Sequence, residues 1–144
     1  MKLQNRQRKF RPAHANRLPE LTGHALQVNF GGNEAYSTKT TQFLLPTKLA
    51  KNEFALDGAW SLQTQYATPA AEPARIRLNY TGDQVRMVLA GSGTLAVTNG
   101  TKTTKLTVSG TPRSYLVEQT TKSVSGTLNV TVGTGVRAYS FTFG

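Results

Sequence analysis

From Glu53 to the chain end, short alternating apolar stretches recur between turn-forming residues, and this rhythm constrains the fold more than any other feature. In residues 75–80, Ile76, Leu78 and Tyr80 share one side while Arg75, Arg77 and Asn79 take the other, the period of two expected of a half-buried strand. Val85, Met87 and Leu89 repeat the pattern, as do Leu95 with Val97, Leu106 with Val108, and Tyr115 with Val117. The series closes with Leu128, Val130 and Val132, then Tyr139, Phe141 and Phe143. Turn residues punctuate it: Asp57-Gly58, Thr81-Gly82-Asp83, Asn99-Gly100, Gly110-Thr111-Pro112 and Gly133-Thr134-Gly135. Asn99-Gly100 is the strongest short hairpin signal, since both residues tolerate positive φ. Strands at about 8–12-residue spacing without helical periodicity read as an antiparallel sandwich or barrel. An open sheet of so many short strands would leave unpaired edges, so two packed sheets in a jelly-roll arrangement are expected.

The first half is less regular. Residues 1–23 are polar and basic, broken by Pro12 and Pro19, and read as a leader or linker; residues 24–144 form the expected β-sandwich domain. Ala25 to Phe30 is a first strand, and Tyr36 to Leu45, ending at Pro46, is an edge strand or extended loop. Thr47 to Asn52 is a loop or a short helical turn. Phe54-Ala55-Leu56 then leads into a turn at Asp57-Gly58, and Ala59 to Ala67 alternates, with Trp60, Leu62, Thr64 and Tyr66 on one face.

Charge and composition narrow the function classes. The formal net charge is +10, but six of the 17 basic residues fall in the first 17 positions: Lys2, Arg6, Arg8, Lys9, Arg11 and Arg17. The remaining 11 basic against 7 acidic residues leave a modest excess, so most of the charge belongs to the leader. Nucleic-acid or anionic-surface binding through that leader is therefore the last-ranked of three readings. The chain has no cysteine, which removes disulfides, thiolate nucleophiles and cysteine-ligated metal sites together. No apolar run is long enough to span a membrane, and no apolar segment follows the basic start as a secretory signal would require.

No constellation for catalysis emerges. His14 and His24 both lie in or near the leader, and the seven carboxylates are scattered. There is no G-x-S-x-G elbow, and no glycine pair opens a helix as a phosphate cradle would. Glu53 and Asp57 with backbone carbonyls are the one combination considered for calcium, and no loop motif supports it. No enzyme activity, cofactor or metal is expected. For ligand binding the candidates are Trp60, Tyr66, Arg75 and Arg77: aromatics that could stack on a sugar, and arginines on an outward face. Core packing of the aromatics and an ordinary solvated face for the arginines are the competing accounts. Asn79, Asn99 and Asn129 match the N-x-T pattern, which a Thr-rich chain produces by chance.

Four blocks carry a resemblance. Asn52-Glu53-Phe54-Ala55-Leu56-Asp57-Gly58-Ala59-Trp60 is similar to an N-x-W-A-L-x-G-x-W block, and residues 75–80 with 85–89 to the pair of strands that follows it. Pro112-Arg113-Ser114-Tyr115-Leu116-Val117 resembles P-R-x-Y-x-L-V, and Ala138-Tyr139-Ser140-Phe141-Thr142-Phe143-Gly144 resembles a terminal A-Y-x-F-T-F-G. In this order they resemble the C-terminal domain of DipZ-type thioredoxin/cytochrome c biogenesis proteins, over residues 50 to 144 and with a weaker match from 22. The resemblance implies a carbohydrate-binding-module-like jelly roll following a thioredoxin-like redox domain on the extracytoplasmic (periplasmic or cell-surface) side of a membrane. It implies an accessory domain whose partner is a thioredoxin-like domain or protein, with carbohydrate as the alternative partner. The family's redox cysteines lie in upstream modules, so none carries onto this chain, and the family's T-P-E-x-Y-L-G entry is poorly matched by residues 21–26.

Overall fold

The computed structural model of the protein describes residues 26–29, 40–45 and 48–144. The leader assigned to residues 1–23 lies outside them, as do Ala25, Phe30, residues 36–39, Pro46 and Thr47. All regular structure among the described residues is strand: β1 (Leu26–Asn29), β2 (Thr40–Phe43), β3 (Phe54–Leu62), β4 (Ala67–Pro69), β5 (Ala74–Asn99), β6 (Lys102–Val132) and β7 (Val136–Phe143). Every pairing is antiparallel. The result is an all-β sandwich of the jelly-roll, carbohydrate-binding-module-like type.

The hydrogen-bonded path runs β1-β7-β4-β3-β5-β6, with β2 beside β3, and it closes because β5 returns to β7. That closure requires β5 to bend. Its first part pairs with β3 (Ile76 opposite Leu56, Leu78 opposite Phe54), whereas residues 85–91 pair with β7. Register shifts at Gly82/Gln84 and Leu89/Gly91 supply the bends. A bulge bends and twists a strand without ending it, so one chain segment serves both layers. Here the sequence expectation needs correction: Thr81-Gly82-Asp83 and Gly110-Thr111-Pro112 lie within continuous strand rather than separating strands. Asp57-Gly58 is likewise inside β3, not a turn. Gly58 takes φ 97°, and a Cβ there would lie 2.5 Å from the Pro73 carbonyl oxygen, so close backbone approach is what the glycine permits.

Strand β3 then stops at Leu62, so Thr64 and Tyr66 do not continue its face; a short turn leads into β4. Residues 48–50 carry no regular structure and Lys51-Asn52 form a turn, with no helix. The hairpin joining β5 to β6 is where expected but shifted by one residue. Asn99 pairs with Lys102, leaving Gly100-Thr101 as the loop, and of these only Gly100 has positive φ. That is the Gly-first hairpin loop rather than the Asn-Gly one.

The core collects the inward residues of both layers: Phe54, Leu56, Trp60, Ile76, Leu78, Met87, Leu89, Leu128, Val130, Phe141 and Phe143 are all essentially inaccessible. Phe54 of β3 meets Phe141 of β7 with ring centroids 6.4 Å apart, joining the layers across the interior. In β7 the alternation shifts phase. Val88 faces Ser140 but Leu89 faces Ala138, so Tyr139 is an extra residue in that strand. Phe141 and Phe143 point inward as expected, while Tyr139 remains half-buried.

Candidate functional site

The four residues singled out for ligand binding do not form one site. Trp60 is 0% exposed, and its indole N–H donates to the Asp57 carbonyl at 3.0 Å. A buried indole with its one donor satisfied is a core residue and offers no face to a ligand.

Arg75 and Arg77 lie on the outer face of the bent sheet, where the register builds two rows across five strand segments. Asp57, Arg75, Thr131, Ala96 and Lys105 are successive cross-strand partners in one row. Ala55, Arg77, Asn129, Thr98 and Thr103 follow one another in the next. The rows are stitched internally. Arg75 pairs with Asp57 at 3.3 Å, the Arg77 Nε donates to Asn129 Oδ1 at 2.8 Å, and the Thr98 and Thr103 hydroxyls lie 3.1 Å apart. Beside them Thr127 donates to Asn79 Oδ1 at 2.8 Å, and the Asn79 amide donates to the Leu49 carbonyl. One end of this face opens into a groove of about 550 Å³ lined by Glu72, Pro73, Thr94, Ala96, Lys105, Thr131 and Gly133, among others. The Glu72 carboxylate there accepts from the backbone N–H and hydroxyl of Thr134, both at 3.1 Å.

Tyr66 belongs to a different place. It precedes β4, whose Ala67 pairs with Ala138 of β7, and so meets the outward side chains of that strand. The Tyr66 and Tyr139 rings stand 5.4 Å apart at 44°, and the Arg137 guanidinium lies 5.7 Å from the Tyr66 centroid. All three side chains are half-buried. The Nε of Arg137 is sealed from solvent without a hydrogen-bond partner. Unpaired buried donors are rare enough that each calls for an explanation. Sequence reasoning read Tyr139 with Phe141 and Phe143. The bulge that separates them depends on the partner strand and leaves no mark in β7 alone.

Most other polar groups are accounted for by the fold; the Asn52 Oδ1 and the Tyr80 hydroxyl are also buried without a hydrogen-bond partner. Glu53 is buried and accepts from the Ala50 N–H at 3.1 Å, while Asp57 serves Arg75, so the two acids considered for calcium are engaged by their own chain. Among the described residues no three His, Cys, Asp or Glu side chains come together to hold a metal, and no helix is long and apolar enough to cross a membrane. The three N-x-T asparagines are tied down: Asn79 and Asn129 as above, Asn99 through its amide to the Glu118 carboxylate. Two tyrosines are perturbed. Burial, reinforced by the charge of Glu118, raises the Tyr80 phenol above its ordinary value; its hydroxyl is sealed without a partner. The Arg113 Nε, donating to the Tyr115 hydroxyl at 2.9 Å, and the Ser109 backbone lower the Tyr115 phenol.

Fold and surface together define a jelly-roll β-sandwich domain. A similar sandwich occurs in a family two carbohydrate esterase from Cellvibrio japonicus, with a TM-score of 0.52 over 83% of this chain and 33% of that one. Their sequences are 7% identical, so the likeness concerns the fold alone. The model of the thioredoxin-like C-terminal domain matches residues 21–144, and the chain belongs to that family. Relatives named protein DipZ, from Mycobacterium bovis and Mycobacterium tuberculosis, are each 40% identical over 117 residues, or 81% of this chain. The chain spans 17% of the length of each.

Proposed function

We propose that this chain is a non-catalytic accessory β-sandwich that docks on, or positions, a thioredoxin-like redox domain on the extracytoplasmic side of a membrane. The observation that carries the reading is its membership of the thioredoxin-like C-terminal family, with 40% identity to the DipZ relatives across 81% of its length. The chain has no cysteine and therefore no thiol–disulfide exchange of its own. Its contribution to a redox system is placement or protection of the partner. The test is a titration of the purified chain with the thioredoxin-like domain of the Mycobacterium tuberculosis relative, followed by fluorescence anisotropy or calorimetry. Saturable binding is expected, and its absence at high micromolar concentration removes the reading.

Carbohydrate binding is the second reading. It draws on the esterase-like fold and on the Tyr66–Tyr139 pair, now without Trp60. Titration with cell-wall polysaccharides, using Tyr66→Ala as the control, separates it from the first: glycan binding without partner binding favours this account.

A further inference from the structure

At the Arg137–Tyr66–Tyr139 corner a charged group is sealed with nothing to bond; among the described residues the Tyr80 hydroxyl and the Asn52 Oδ1 are also unbonded, but neither is charged. The outer rows have the opposite character at their arginines and amides, since Arg75, Arg77, Asn129 and the neighbouring Asn79 find partners within the chain. At the corner the guanidinium lies over one ring, that ring leans on a second, and the Nε has no acceptor. Thr68, the nearest hydroxyl on β4, already donates to the Val136 carbonyl at 2.8 Å.

Tyrosine and arginine dominate protein-interface hot spots because they combine large rigid contact area with directional donors. The tyrosines are braced by β4 and β7, so little side-chain entropy remains to be lost when a partner packs on them. An incoming carbonyl or carboxylate, met by a rotation of the guanidinium, supplies the acceptor that Nε lacks. As for the occupant, this domain spans 17% of its relatives' length and bears the family description of a thioredoxin-like C-terminal domain, which on the proposed function sits beside a thioredoxin-like unit.

We infer that Tyr66, Tyr139 and Arg137 form the docking hot spot for a thioredoxin-like domain that presents a carboxylate or backbone carbonyl to Arg137. The inference rests on the proposed accessory function and adds the surface through which it operates.

The experiment compares affinity for the thioredoxin-like domain of the Mycobacterium tuberculosis relative across Tyr66→Ala, Tyr139→Ala, Arg137→Gln, Arg137→Lys and the distal control Lys105→Gln. At least tenfold weaker binding is expected for Arg137→Gln and for each tyrosine variant. Arg137→Lys restores little of it, because an ammonium cannot reproduce the planar fork. Lys105→Gln binds as the wild type does. Arg137→Gln separates docking from folding: it leaves both rings in place, and its melting temperature is expected to stay within a few degrees of wild type. Wild-type binding that all three substitutions leave unchanged overturns the assignment of the surface while sparing the accessory reading. Failure of the wild type to bind removes both. Binding of a polysaccharide, lost in the same variants while the thioredoxin-like domain does not bind, overturns the occupant.

Discussion

Two polar regions of this sandwich share a vocabulary of arginines on outward strand faces yet differ in how it is used. On the face formed by β3, β5 and β6, Arg75 and Arg77 sit beside groups that answer them, Asp57 and Asn129, at 3.3 and 2.8 Å. At the β4–β7 corner, Arg137 rests on Tyr66 with its Nε sealed and unanswered. A satisfied network stabilises or specifies the fold, whereas an orphaned donor costs about 1–3 kcal/mol with no return inside the chain. The contrast teaches that the number of arginines on a face says little; the fate of each donor separates structural use from availability to a partner.

The largest expected effect lies beneath both regions. Trp60→Ala removes a fully buried indole and its bond to Asp57, and is expected to cost about 3–5 kcal/mol in denaturant unfolding. A surface ligand-binding role for Trp60 would instead leave stability nearly unchanged.

The sharpest test pairs two arginines. Arg77→Met strands the Asn129 carbonyl oxygen and is expected to destabilise by about 1–2 kcal/mol. Arg137→Met keeps a stem to pack on Tyr66 while deleting a donor with no partner, so its stability is expected to match or slightly exceed wild type. Equal losses in the two, measured by urea unfolding, would break the comparison.

Tyr80 extends the idea to the interior. Its raised phenol means that the unfolded chain loses this proton at lower pH than the folded one. Stability tied to the group is therefore intact below the ordinary tyrosine range and drains away as pH climbs from there through the folded value. Tyr80→Phe is expected to flatten that alkaline loss and, by removing a sealed hydroxyl, to gain up to about 1 kcal/mol at neutral pH. Thermal melts from pH 7 to 11 decide it, and an unchanged alkaline slope refutes it. The smallest effect is Asp57→Asn. It removes an exposed ion pair with Arg75, whose side chain is half solvent-accessible, and should cost about 0–1 kcal/mol, shrinking further in salt.

Much of the sandwich was legible because its signals are local. Ile76, Leu78 and Tyr80 declare a strand by alternation, and all three are buried. The region of Asn99-Gly100 declares a hairpin, although which residues close it depends on the register across the pair. The site was less legible. Tyr66 and Arg137 lie far apart in the chain, and neither carries a pattern that announces the other. Trp60 looked like a stacking surface because residue type alone does not say which way a side chain faces.

By itself the sequence determined an all-β chain without cysteine, the alternating inward sets that fill the core, and the blocks shared with its family. Tertiary structure decided what each glycine does and which surface groups meet. A glycine grants positive φ, but whether the chain turns back or bulges onward depends on what is paired beside it. At Gly58 the close approach of Pro73 and pairing with Phe43 keep β3 running. In β7 the mismatch of Val88 and Leu89 against Ser140 and Ala138 turns Tyr139 out toward Tyr66. Local preference limits the conformations open to each residue; packing against distant strands selects among them, and only that selection brings Arg137 to a corner where its Nε has no hydrogen-bond acceptor.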